Sequence, residues 1–293
     1  MPTLSGRADP FNPWIEAQQG TAVYQYASWL GLALFLPLAR LSLQRSVLKR
    51  FAKRCLAPVP VHPNPGQKLS NRQQLESKFC ESLWKGLVYG TTFFIGIYAV
   101  YDEPWLTDTS FFWRGWPHQR FSQKLLFLYK AYFASYASGL LMLVFWDTHR
   151  SDFWAMLLHH VATVCLVALS YYSGFLRVGS MIMILHDPSD IILEVTKMLN
   201  YAQWEQASTV MFAVFMASWF LTRLVYFPFW IVWSTSFEVE HVLGFKPDMY
   251  MLFNGLLLML VVLHIYWFAI ICNIALQKVL EGKDVADVRE AEE

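Results

Sequence analysis

The sequence predicts an all-α protein that crosses a membrane about seven times, and three observations carry that reading. The 293 residues are 56% hydrophobic and only 15% charged, too apolar for an ordinary soluble domain. The apolar residues are gathered in runs of the length a helical bilayer crossing needs, about 20 residues. The runs also lack the period-two alternation of a barrel strand, which leaves the helix as the element that satisfies its own backbone in lipid.

Taken in order, the first run is 23–43, after a luminal N-terminal segment, 1–22, and before a basic connector, 44–74. Between 44 and 82 the bases Arg45, Lys49, Arg50, Lys53, Arg54, Lys68, Arg72 and Lys78 face only Glu76 and Glu81, so this side is expected to be cytosolic. Pro58, Pro60, Pro63 and Pro65 suggest a stiff, non-helical link. Ser70 and Gln73 have the spacing of a capping box that would start the helix leading into the second run, 83–101. The remaining runs are 125–145, 153–173, 175–197, 209–235 and 249–272, of which the fifth is weakened by its own polar residues and the second is short, so that six is the lower count. The loop 102–124 is balanced in charge and 236–248 is net acidic, as a luminal side allows. Seven crossings put the N-terminus in the lumen and the acidic tail, 276–293, in the cytosol. Cys55, Cys80, Cys165 and Cys272 are scattered without a C-x-x-C, so neither a disulfide framework nor a zinc site is indicated.

The chemistry is expected inside the membrane. His159 and His160 stand in the fourth run, and His186, Asp187 and Asp190 in the fifth, where ionisable side chains are costly and mark function. At a rise of about 1.5 Å per residue both groups fall roughly 10 Å below the cytosolic face, on antiparallel neighbours. Adjacent residues point about 100° apart, so His159 and His160 face different partners, whereas His186, Asp190 and Glu194 share a face with Asp187 beside it. A carboxylate holding one ring nitrogen would leave the other free as base or nucleophile. Pro188 suggests a helix broken at the site, with Asp187 capping a new half-helix. Arg223 in the sixth run would neutralise a carboxylate or bind a substrate headgroup, and His264 in the seventh lies at a similar depth; with Glu194 these are the expected substrate contacts. The basic run 45–54 reads as a topology determinant that also meets lipid phosphate.

These residues resemble the ceramide synthases of the TLC-domain family. Their Lag motif is matched by Leu158, His159, His160, Val161, Ala162 and Thr163, then Ser170-Tyr171, Arg177-Val178-Gly179, His186-Asp187-x-Ser189-Asp190, Leu193-Glu194, Lys197 and Tyr201. Flanking stretches, among them Glu103-Pro104-Trp105, Trp146-Asp147-Thr148 and Phe227-Pro228-Phe229-Trp230, are similar to the plant branch. The likeness spans roughly 75–275 and makes that stretch the catalytic membrane domain; Pro188 departs from the small residue expected there.

The resemblance implies an acyltransferase of the endoplasmic reticulum membrane, joining the acyl group of acyl-CoA to the amine of a sphingoid base to give ceramide. It implies His159 as nucleophile through an acyl-imidazole, with direct transfer using histidine as base left open. His160 would position substrate, Asp187 would orient an imidazole, Asp190 would place or deprotonate the amine, and His186 would assist. No bound cofactor, no metal and no nucleic-acid partner is expected, and a homo- or heterodimer is suggested. The family links the last luminal loop to chain-length choice, which points to 236–248. Two other classes are weighed beside this one. A metal-dependent lipid hydrolase would use the same His and Asp residues, and a non-enzymatic lipid sensor or transfer protein would share only the TLC fold.

Overall fold

A computed structural model describes residues 19–56, 65–147 and 150–281, with side chains described for 27–56, 72–147 and 150–280. The described residues are helical with short turns between helices. Helix α1 (Gln19–Leu43) runs through a π-helical turn (Gln44–Leu48) into α2 (Lys49–Cys55), so the basic run forms helix rather than loop. Most of the Pro-rich link lies outside the described residues. Helix α3 (Pro65–Val100) starts five residues before the Ser70 box: proline is tolerated in a first helical turn, so Pro65 opens the helix that it was expected to precede. Two 3-10 turns (Pro104–Leu106 and Thr109–Phe112) lead to α4 (Gln123–Phe145), which Ser122 caps by accepting a hydrogen bond from the Leu125 amide.

Helix α5 (Phe153–Tyr172) ends at Gly174, whose positive φ of 71° allows the chain to reverse into α6 (Leu176–Tyr201). Helix α7 (Glu205–Trp219) continues as π-helical stretches (Phe220–Val232 and Ser234–Glu238) into α8 (Val239–Leu243). The sixth crossing is therefore longer than expected, and much of the supposed loop 236–248 is helix that ends at Gly244 (φ 79°). Helix α9 (Tyr250–Glu281) overruns the expected start of the tail at 276, and the rest of the tail lies outside the described residues, as does nearly all of segment 1–22.

Among the described residues six helices are long and apolar enough to cross a membrane, those of Ala27–Cys55, Arg72–Val100, Gln123–Phe145, Phe153–Tyr172, Glu205–Leu243 and Tyr250–Leu280. Helix α6 is long enough but too polar for the same test, and packing explains why. It lies against α3, α4, α5 and α7, and buries Ser180, His186, Asp187, Ser189, Glu194, Thr196 and Lys197. Leu34, Phe35, Phe94, Phe229 and Met251 point outward instead. Apolar surface outside and polar groups inside is the arrangement a bilayer selects, and the chain is a multi-pass membrane protein.

Helix α6 is continuous through Pro188, against the expected break. A proline inside a helix clashes with the carbonyl four residues earlier and removes one hydrogen bond. Here the neighbourhood is braced by side chains: the His186 carbonyl accepts from Arg223 (3.1 Å) and from Ser189 Oγ (3.0 Å). Asp187 caps nothing; its carboxylate turns away from its own backbone to α3 and α4.

Candidate active site

Two cavities meet inside the bundle. The larger, of about 250 Å³, is polar at the end near α2 and lined there by Lys85, Arg150, Glu194, Lys197 and Tyr201. The smaller, of about 70 Å³, is an apolar slot that runs between α5, α6 and α9 past Val167, Val178, Met183 and Leu257 towards Trp113 and Tyr250. Four side chains line both: Tyr136, His159, Asp190 and Arg223. The junction therefore joins a polar chamber to a hydrocarbon-like slot at a histidine.

Helix α5 places the histidine pair on two faces, as adjacent helical positions must be. The ring of His159 stands edge-on to that of Trp267 at 5.4 Å, and its Nδ1 is buried without a hydrogen bond. Trp267 is itself held by the Asp152 carboxylate, which accepts from its indole N–H at 2.9 Å. His160 lines only the polar chamber. Its Nδ1 donates to the Met156 carbonyl at 2.8 Å, which fixes the tautomer in the neutral ring and leaves the Nε2 lone pair free. The close approach of α4 at Gly139 makes room: a Cβ there would come 3.4 Å from that Nε2.

Helix α6 lays its polar residues along the two cavities. His186 lines the slot, Asp190 the junction and Glu194 the chamber. Asp190 pairs with Arg223 at 2.5 Å, and Arg223 also donates to Ser189 Oγ and lies over the Trp219 ring. Arg223 is nearly enclosed while Asp190 keeps 27% of its side chain exposed to the cavity, so the pair is anchored on one side and open on the other. Its fork geometry suits that task as an ammonium would not. Glu194 pairs with Lys197 at 3.1 Å.

Two of the expected contacts differ. Asp187 holds no imidazole; it accepts from the Tyr132 hydroxyl at 2.5 Å and from Thr92 at 2.9 Å, because α3 and α4 rather than α5 face it. His264 lines neither cavity. It is fully enclosed behind His186, with their Nε2 atoms 3.2 Å apart, since the groove beside it is closed by Trp219 and Phe227.

At the chamber's polar end Asp147 joins two helices, accepting from Arg40 of α1 (2.6 Å) and from Lys85 of α3 (2.8 Å). Burial alone would raise its pKa, but the two cations outweigh this and hold it down to about 2. Sequence reasoning missed Thr92, Tyr132, Tyr136 and Trp267, and met Lys85 and Asp147 only within flanking stretches of the resemblance, with no role at the site. For the tyrosines the signal was the spacing of Tyr132 and Tyr136, one turn apart in an apolar run, and it is equally that of a packing face. Among the described residues no three His, Cys, Asp or Glu side chains converge as metal ligands.

The TLC domain family matches residues 78–273. Ceramide synthase 1 LOH3 of Arabidopsis thaliana is 39% identical to this chain, the match covering 92% of each. Ceramide synthase LOH1 of the same plant is 37% identical over 93% of this chain and 92% of its own length. Ceramide synthase 5 of Homo sapiens is 39% identical over 73% of this chain and 54% of its own. A match that spans the two histidines, the carboxylates of α6 and Arg223 joins the family's motif to this site: the chain belongs to the TLC-domain family and, within it, to the ceramide synthases, which are acyltransferases.

Proposed function

We propose that the chain transfers a fatty acyl group from acyl-CoA to the amine of a sphingoid base in the endoplasmic reticulum membrane, with its N-terminus luminal and its C-terminus cytosolic. The observation that carries this is the position of His159, where a polar chamber meets an apolar slot. An acyl-CoA has those two halves. Its charged headgroup suits the chamber with Lys85, Arg150 and Lys197, its hydrocarbon tail suits the slot, and the thioester between them falls at the junction.

In this reading a ring nitrogen of His159 attacks the thioester carbon. The C–S bond breaks and the thiolate leaves with the proton that the ring gives up, leaving a neutral acyl-imidazole. The neutral amine of the base, admitted sideways from the lipid, then attacks the acyl carbon. The C–N bond to His159 breaks and the amide forms. The free Nε2 lone pair of His160 supports a role in taking the amine's proton, which then passes to the departing His159 nitrogen and restores both neutral rings. Asp190, open to the cavity and steadied by Arg223, is suited to hold the amine before it reacts. Asp187 with Tyr132 and Thr92 supports the wall beside it rather than a histidine. Acyl-CoA is a co-substrate, and no step requires a metal. Val239 and Pro247, from the 236–248 segment, line the slot's far end, which supports the link between that segment and chain length.

The test is amide formation in membranes containing the chain, given labelled sphinganine and a panel of acyl-CoAs, with His159→Ala in parallel. Dihydroceramide from the wild type and none from the variant is expected. Equal product from both would remove His159 from the chemistry, and no product from a folded wild type across the panel would overturn the reaction.

A further inference from the structure

Three tyrosines of α4 face the bundle interior, and two of them are tied. Tyr129 donates towards the carbonyls of Phe175 and Leu176 and bonds Ser170 Oγ at 3.0 Å. Tyr132 donates to Asp187. Tyr136, one turn on, makes no hydrogen bond to a described residue through its hydroxyl, and its oxygen is not closed off from the cavity. Its ring packs on Tyr132 at 5.9 Å, which fixes its direction from α4. It is one of the four side chains that line both chamber and slot, together with His159, Asp190 and Arg223.

The two charged groups there are already engaged with each other. Arg223 donates to Asp190, to Ser189 and to the His186 carbonyl, and Asp190 accepts from Arg223. A phenylalanine would fill the same space, so packing alone does not call for the hydroxyl, which opens on the cavity. The hydroxyl is thus an O–H donor held ready at the point where the reading above puts the acyl carbon.

Attack on a thioester moves the C=O electron pair onto oxygen, and the resulting oxyanion needs a donor aimed at it in a water-poor site. Resting on the acyl-transfer reading above, we propose that the Tyr136 hydroxyl donates a hydrogen bond to this oxyanion. The nucleophile's lone pair adds to the acyl carbon, the π pair moves to oxygen, and Tyr136 donates to that oxygen without losing its proton. On collapse the C=O bond reforms, the leaving group departs with the nucleophile's proton, and the tyrosine is unchanged. The same donor serves the second attack, by the amine, and serves equally if the amine attacks the thioester directly.

The experiment compares the full chain with Tyr136→Phe in detergent micelles, measuring kcat and KM for acyl-CoA and for the base, the melting temperature, and binding of a CoA thioether that has no carbonyl. The expected result is a kcat lower by on the order of a hundred- to a thousandfold, with KM, melting temperature and thioether affinity little changed. An unchanged kcat, or a loss confined to KM or to thioether affinity, overturns the assignment, since the hydroxyl would then act on the bound substrate or on shape alone. Wild-type turnover separates the two claims: a silent wild type overturns the reaction and this role with it, whereas an active wild type with an equally active Tyr136→Phe overturns the role alone.

Discussion

His186 and His264 meet through their Nε2 atoms, 3.2 Å apart, although 78 residues separate them in sequence. The Nδ1 of His186 donates to the Ile182 carbonyl at 2.6 Å, so in the neutral ring its Nε2 carries a lone pair. His264 must then present an Nε2–H, which leaves its own Nδ1 an acceptor without a partner. A single proton shared between two rings thus ties α6 to α9 behind the slot.

The pair is expected to behave as one unit. His264→Phe keeps the ring volume but leaves the buried His186 acceptor unmet, at a cost of about 1–3 kcal/mol. In a double-mutant cycle with His186→Phe, the two losses should fall short of additivity by roughly 0.5–3 kcal/mol. Thermal unfolding of the four proteins in one detergent measures this; strictly additive losses would mean that no proton is shared.

Asp147 gives a pH dependence with a definite sign. Its folded pKa, about 2, is depressed below the ordinary aspartate value of about 3.9. The stability it contributes is therefore present above the ordinary value and is lost as pH falls from there through the folded value. The shift corresponds to roughly 2–3 kcal/mol at neutral pH. Asp147→Asn should lower the melting temperature at neutral pH, and its deficit against wild type should shrink as the medium is acidified below about pH 4. A deficit that stays constant through that window would show that the Arg40 and Lys85 contacts do not act through this carboxylate's charge.

The Gly139 position tests whether the face of His160 that carries Nε2 is where the reaction occurs. An added Cβ would lie at ordinary contact distance, 3.4 Å from that atom, so Gly139→Ala should keep most of its activity. The branched methyls of Gly139→Val would enter the space itself. Activity should then fall on the order of a hundredfold, as for a misplaced reacting group, with a stability cost of about 1–3 kcal/mol from overpacking. Full activity in Gly139→Val would put the reacting atoms elsewhere.

What the sequence disclosed and what it withheld divide along a physical line. The crossings were legible because burial in lipid demands long apolar runs, and the histidines and carboxylates stood out because charge is rare there. The depth argument brought His159 and Asp190 to one level, and they line the same junction. The partners were not legible. Asp187 meets Tyr132 and Thr92, residues 55 and 95 positions away, and nothing local says which helix faces it. Pro188 was read by its local rule, which a continuous helix braced by Arg223 and Ser189 overrides. Hydropathy also undercounts α6 for the reason that makes it the core of the site: its polar residues face inward, where the lipid never meets them.

The slot makes a last prediction, about substrate choice. Val178 lies near the start of α6, buried and lining the slot well beyond His186 on the side away from the chamber. Eight residues of helix separate the two, roughly 12 Å at the helical rise, so a side chain at Val178 acts on the far part of an acyl tail and not on the reacting carbon. Val178→Phe should shift the preferred acyl-CoA to shorter chains while short-chain turnover stays near the wild-type value. Val178→Ala should extend the accepted range, at a cost in stability of about 1–3 kcal/mol, between the loss of one methylene and that of a whole Leu or Ile side chain. Competition assays with mixed acyl-CoAs, read as the chain-length distribution of the amide product, measure both. If Val178→Phe lowers all chain lengths in proportion, the apolar slot does not hold the acyl tail, and the tail must leave the junction by another path.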